Sequence, residues 1–154
     1  MEHILTVCNI RGQKEIWKLA EEAWHKKEPK WENPSFSEIM TVGIRQVENK
    51  EGKQIQGATC LQRILISEAA YLIWKIRCDR VINEKEEISQ KELKNRWLHT
   101  IDSKFDLDKT LIKKTFGKGR HKISQRRVKA TWEDTQLHEK LPYLRECRVL
   151  VGVG

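Results

Sequence analysis

Apolar residues recur at the three- and four-residue spacing of an α-helix over most of the chain. After Gly12, "QKEIWKLAEEAWHKK" places Ile16, Leu19, Ala20, Ala23 and Trp24 on one stripe, which predicts an amphipathic helix. Pro29 and Pro34 cannot continue a helix interior, so the pattern breaks there. Ser37 is then the expected N-cap of a short segment, "EIMTVGI". Residues 48–57 are polar and bracketed by Gly52 and Gly57, which predicts a surface loop. The strongest element runs from about 58 to 83. Leu61, Ile64, Leu65, Ala69, Leu72, Ile73, Ile76 and Arg80 trace its stripe; Ile66, Ala70, Trp74, Val81 and Ile82 widen it. A surface that broad predicts a central helix touched by neighbours on more than one side.

Ser89 followed by Glu92 has the spacing of a capping box, and Ile88 with Leu93 that of a hydrophobic staple. The helix behind them buries Leu93, Trp97, Leu98 and Ile101, and Asp106 is positioned to cap a separate short helix ended by Gly117. Ser124 opens a last helix containing Val128 and Trp132, and Pro142 stops regular structure. The expected fold is all-α: a single domain of about five or six helices around a long central helix, with a short irregular or extended C-terminal tail. Residues 11–135 form the helical domain, with 1–10 before it and 136–154 as the tail.

Composition adds bounds. The 154 residues suffice to bury one core without metals or disulfides. No apolar run approaches the roughly 18 residues of a membrane span, and no secretory signal opens the chain, so the expectation is an intracellular protein, cytoplasmic or nuclear, with no membrane partner. Cys8, Cys60, Cys78 and Cys147 form no Cys-x-x-Cys pair and read as reduced thiols.

Charge changes the picture more. The net charge is +8, yet nine basic residues and no acidic one lie between Lys109 and Trp132, so the remainder of the chain is near neutral. One basic segment points to an anionic partner. Lys113, Lys114, Lys118, Arg120, Lys122, Arg126, Arg127 and Lys129 are the candidate phosphate contacts of an RNA or DNA backbone. Phe116, His121 and Trp132 are either stacking platforms for single strands or anchors of the core. The alternative is a solvated basic face with no partner. Trp17, Trp24, Trp74 and Trp97 lie on apolar stripes and read as core, whereas Trp31 reads as a surface group.

Two further chemistries have partial signals in the chain. His3 and Cys8 stand at the H-x4-C spacing of half a zinc knuckle, two of the four ligands a structural site needs. The other thiols and imidazoles (Cys60, Cys78, Cys147, His25, His99, His121, His138) are not paired, so the site is incomplete and no cofactor is expected. Carboxylates fall on expected helix exteriors (Glu15, Glu21, Glu22, Glu84, Glu86, Glu87, Glu92) or near a helix start (Asp102, Asp106, Asp108). They form no two-metal cluster pattern, and no G-x-S-x-G elbow appears, so the chain does not read as an enzyme.

The stretches "EHILTVCNIRGQKEIWKLAEEAWHKKEPKW", "SFSEIMTVG", "LQRILISEAAYLIWKIRCDRVI" and "NRWLHTID" resemble the C-terminal region of fungal retrotransposon-derived proteins. In that family a ribonuclease H domain is followed by a reverse-transcriptase-type zinc-binding region. Glu2-His3, Cys8 and Trp17 match the second half of the zinc pattern, and the likeness extends through "KKTFGKGRHKISQRRVKATW" to "VLVGV". The Cys-x-x-Cys half is not present, so the resemblance implies a copy begun inside a longer reading frame, with zinc bound only if an upstream half-site is supplied. It implies a non-catalytic accessory region that contacts nucleic-acid backbone. The alternative is a structural or protein-interaction domain that packs on a ribonuclease H or reverse transcriptase region.

Overall fold

The helical periodicity becomes five α-helices in the computed structural model: α1 (Gln13–Trp24), α2 (Phe36–Met40), α3 (Gln56–Val81), α4 (Gln90–Thr115) and α5 (Gln125–Trp132). A π-helical turn (His3–Val7) precedes them, and a 3-10 turn (Val42–Ile44) follows α2. The structure describes residues 1–7, 12–25, 27, 30–84, 87–115 and 124–135. The expected Gly117 stop, Pro142 and the 136–154 tail lie outside them. Among the described residues the only extended pairing is an isolated bridge, Glu48 to Gln54, and no helix is long and apolar enough to cross a membrane.

The all-α, single-core expectation holds, and α3 is its centre, in contact with every other helix. At 1.5 Å per residue its 26 residues span about 39 Å. Its buried side carries Leu61, Leu65, Ile66, Ala69, Leu72 and Ile76. Helix α1 packs Ile16, Trp17, Ala20 and Trp24 against that side. Each buried indole also needs a partner for its N–H. Trp17 donates to the Leu5 carbonyl at 2.9 Å, which ties the π-helical turn to the body, and Trp24 donates to the Lys30 carbonyl at 2.6 Å. Helix α4 adds Leu93, Trp97, Ile101 and Phe105, whereas Leu98, expected on the same face, is exposed. Two ion pairs bridge α3 and α4, Asp79 to Arg96 at 3.1 Å and Glu68 to Lys104 at 2.9 Å. As the α3 number falls the α4 number rises, so the helices run antiparallel. Burial opposes the Arg96 charge, but the hydrogen bonds it donates to Glu92 and Asp79 outweigh that and hold the guanidinium above its usual range.

Four expectations are corrected. Helix α2 is capped by Ser35, not Ser37, because a capping box needs an acid three residues on. Ser35 has Glu38, whose carboxylate accepts from the Ser35 N–H at 2.8 Å, whereas Ser37 has Met40. The two helices expected on either side of Asp106 are one continuous α4. Neither Pro nor Gly interrupts it, Phe105 extends its buried stripe, and Asp106 pairs with Lys109 at 3.2 Å instead of capping. Gly57 does not end the 48–57 loop but lies buried in the first turn of α3. Finally, Trp74 is 40% exposed, and Val81 and Ile82 are more exposed still, so α3 has an outer side that no described element covers.

The α2 cap carries a pH signature. The Ser35 N–H bond, then the Arg45 guanidinium, lower the Glu38 pKa from 4.5 to about 2. A carboxyl that is more acidic folded than unfolded contributes stability in full above about 4.5, and loses it as the pH falls toward 2. Chemical denaturation of Glu38→Gln and wild type at several pH values should therefore converge below that window. The advantage of the wild type should be full above it and shrink through it.

Candidate nucleic-acid interface

The basic segment is ordered by α5. Ser124 has the extended backbone of an N-cap, and its Oγ accepts from the Arg127 N–H at 3.3 Å. Val128, Thr131 and Trp132 then fall on one side and are buried. The three- and four-residue spacing that buries them turns Arg126, Arg127 and Lys129 outward, and all three are exposed. Among the described residues no ion pair engages any of the three.

Three contacts hold this helix to the body. The Trp132 ring is fully buried edge-on to Phe105, with centroids 5.2 Å apart, and its Nε1 donates to Asp108 Oδ2 at 2.9 Å. The backbone of Ala130 lies directly on Gly57, where a Cβ would stand 2.2 Å from the Ala130 oxygen. Lys27, just past the end of α1, donates from Nζ to the carbonyls of Ala130, Thr131 and Glu133. A cation on the last carbonyls of a helix offsets both their unmet hydrogen bonding and the negative end of the helix dipole. Lys27→Met should thus lower stability by about 1 kcal/mol. Thermal unfolding should read this as a fall of about 2–4 °C.

Of the eight candidate phosphate contacts, the structure brings Arg126, Arg127 and Lys129 onto one helix face. Lys113 is exposed near the end of α4. Lys114 belongs to α4 with its side chain outside the description, and Lys118, Arg120 and Lys122 lie outside the described residues altogether. Lys109 is drawn inward, 5.0 Å from the centroid of the Phe105 ring and paired with Asp106. Trp132 is a core anchor and presents no ring for stacking; Phe116 and His121 lie outside the described residues. Trp17, Trp24 and Trp97 are core as expected, while Trp31 is half-buried and rests on Trp24, with ring centroids 6.1 Å apart.

The rings that do face outward are Tyr71 and Trp74, which touch at 6.0 Å on the outer side of α3. The 71–74–78–81 spacing was there to be read, but only the placement of the neighbouring helices decides which side of α3 stays uncovered. Of the H-x4-C pair, His3 is exposed in the π-helical turn and Cys8 lies outside the described residues. Cys60 and Cys78 are half-buried free thiols. Asp79 and Glu92 both bind Arg96, and among the described residues no three His, Cys, Asp or Glu side chains converge. Asp102, Asp106 and Asp108 sit inside α4 rather than at a helix start.

Chemically, an outward row of guanidinium and ammonium groups on a firmly packed helix suits contact with phosphate oxygens and carries no base readout. Compared with protein-family models, with curated proteins and with solved structures, the chain finds no match in any of the three.

Proposed function

We propose that this chain is a non-catalytic accessory domain of a retrotransposon-derived protein that holds nucleic acid by its phosphate backbone. The supporting observation is the α5 face: Arg126, Arg127 and Lys129 are exposed and free of ion pairs among the described residues, on a helix locked by Trp132. In sequence, Lys113, Lys114, Lys118, Arg120 and Lys122 add five cations to the same stretch of chain. Neutralising phosphates releases condensed counterions, so the expected binding is sequence-tolerant and salt-sensitive.

Fluorescence anisotropy with labelled single-stranded and duplex oligonucleotides tests this. Binding at about 50 mM salt should be in the micromolar range and insensitive to base order. It should be clearly weaker in Arg126/Arg127/Lys129→Ala, whose unfolding transition should be unchanged, since all three side chains are exposed. Wild-type-like binding by the triple variant removes α5 as the interface.

A further inference from the structure

The outer side of α3 has the geometry of a helix seam without its second helix. Tyr71, Trp74, Cys78 and Val81 follow one another at steps of three, four and three residues, the spacing of a coiled-coil stripe. Tyr71 is 54% exposed, Val81 54% and Ile82, at the end of the stripe, 72%. The opposite side of the same helix is the domain core, and no described element covers Trp74 or Val81, while Tyr71 stands at the edge toward α4. Contiguous exposed apolar surface of this kind marks an interaction site.

The flanks say what kind of partner fits. Lys75 and Arg77 lie on opposite edges of the stripe, one just after Trp74 and the other just before Cys78. Neither engages in an ion pair among the described residues. Of the acids nearby, Asp79 and Glu92 share Arg96, and Glu87 pairs with Arg80. On the α4 side Tyr71 and Lys75 border an open groove of about 570 Å³, whose lining also holds Asn95, His99 and the Asp79–Arg96–Glu92 group. Within the stripe from Tyr71 to Val81, the side chains outside ion pairs are therefore apolar or cationic.

From these features we infer that the outer face of α3 docks an acidic amphipathic helix. The partner would lay an apolar stripe on Tyr71, Trp74, Cys78 and Val81 and set carboxylates against Lys75 and Arg77. A second copy of this chain is a poor occupant. Antiparallel self-pairing of the stripe places Lys75 near Lys75 and Arg77 near Arg77, and like charges across a seam are disfavoured. Single-stranded nucleic acid would use the two rings but leave Val81 and Ile82 uncovered. The proposal is independent of the α5 reading, because it concerns a different helix and a different class of partner.

Two designed peptides with the same leucine heptad face test it, one carrying Glu and the other Lys at the positions flanking the apolar stripe. The Glu peptide should bind about tenfold tighter than the Lys peptide. Its binding should change the fluorescence of the protein and be lost in Trp74→Glu. Lys75→Glu/Arg77→Glu, which leaves the apolar stripe intact, should reverse the preference. Any of four outcomes overturns the proposal: equal binding of the two peptides; no binding of either; a concentration-dependent dimer in sedimentation velocity that Trp74→Glu dissociates; or single-stranded oligonucleotide binding that is lost in Tyr71→Ala/Trp74→Ala. Loss of oligonucleotide binding in the α5 triple variant bears on the function proposed above and not on this one.

Discussion

Gly57→Ala is expected to destabilise the domain by about 3 kcal/mol, at the upper end for an overpacked interior. The added Cβ would stand 2.2 Å from the carbonyl oxygen of Ala130 and 2.6 Å from its carbon. Both are backbone atoms of α5, so no side-chain rotation relieves the clash and the helix must move as a unit. Alanine is otherwise the better helix former by about 1 kcal/mol, which makes the sign of the result informative. The movement would also disturb the Lys27 contacts to the same carbonyls. Thermal unfolding of the variant should fall by roughly 6–12 °C. A variant as stable as the wild type would mean that α5 does not lie on the start of α3.

The second large effect is at Trp132. Truncation to alanine should lose about 3–5 kcal/mol, because the indole is fully buried and its removal leaves a cavity. Trp132→Phe keeps most of the volume and the ring contact with Phe105 but removes the donor to Asp108. It should lose about 1–2 kcal/mol, the cost of an acceptor left without its bond. Denaturant titration of the two variants separates packing from hydrogen bonding. Near-equal losses would place the energy in the hydrogen bond instead. A Trp132→Ala variant of wild-type stability would contradict the burial of the indole in the core.

Much of this was open to reading in the chain itself, for definite reasons. Helix α5 is announced by Ser124 at its start and by Val128 and Trp132 at helical spacing, and the outward turn of Arg126, Arg127 and Lys129 follows from that spacing. The core stripe of α3 from Leu61 to Ile76 was equally plain, because one side of a long helix must be buried whatever covers it. What failed were choices between two local signals. Asp106 can cap a helix, but a carboxylate in mid-helix with Lys109 three residues on is just as stable, and Phe105 decided for continuity. Ser35 and Ser37 differ only in what stands three residues later. The exposure of Trp74, Val81 and Ile82 had no local signal, since it depends on where α1, α4 and α5 settle around α3. The close approach at Gly57 is of the same kind: a contact across 73 positions of sequence, from Gly57 to Ala130, leaves no mark in either neighbourhood.

These limits define how the two outward surfaces relate. The cationic face rests on a helix whose position is set by Gly57, Lys27 and Trp132, so stability and nucleic-acid affinity should fall together in variants at those residues. The apolar face of α3 lies on the element with the most neighbours, so its variants should leave stability nearly untouched while changing association. That contrast follows from packing alone.

The salt dependence of oligonucleotide binding is the most direct measurement of the proposed function. Affinity for a duplex should be followed from about 50 to 200 mM salt in the wild type and in Arg126/Arg127/Lys129→Ala. Three phosphate contacts contribute a slope of about −2.7 in log affinity against log salt, equivalent to roughly a fortyfold loss over that range. The prediction is that the triple variant flattens the slope by about that amount. A slope unchanged by the three substitutions, or a wild type that does not bind at the lower salt, would contradict it.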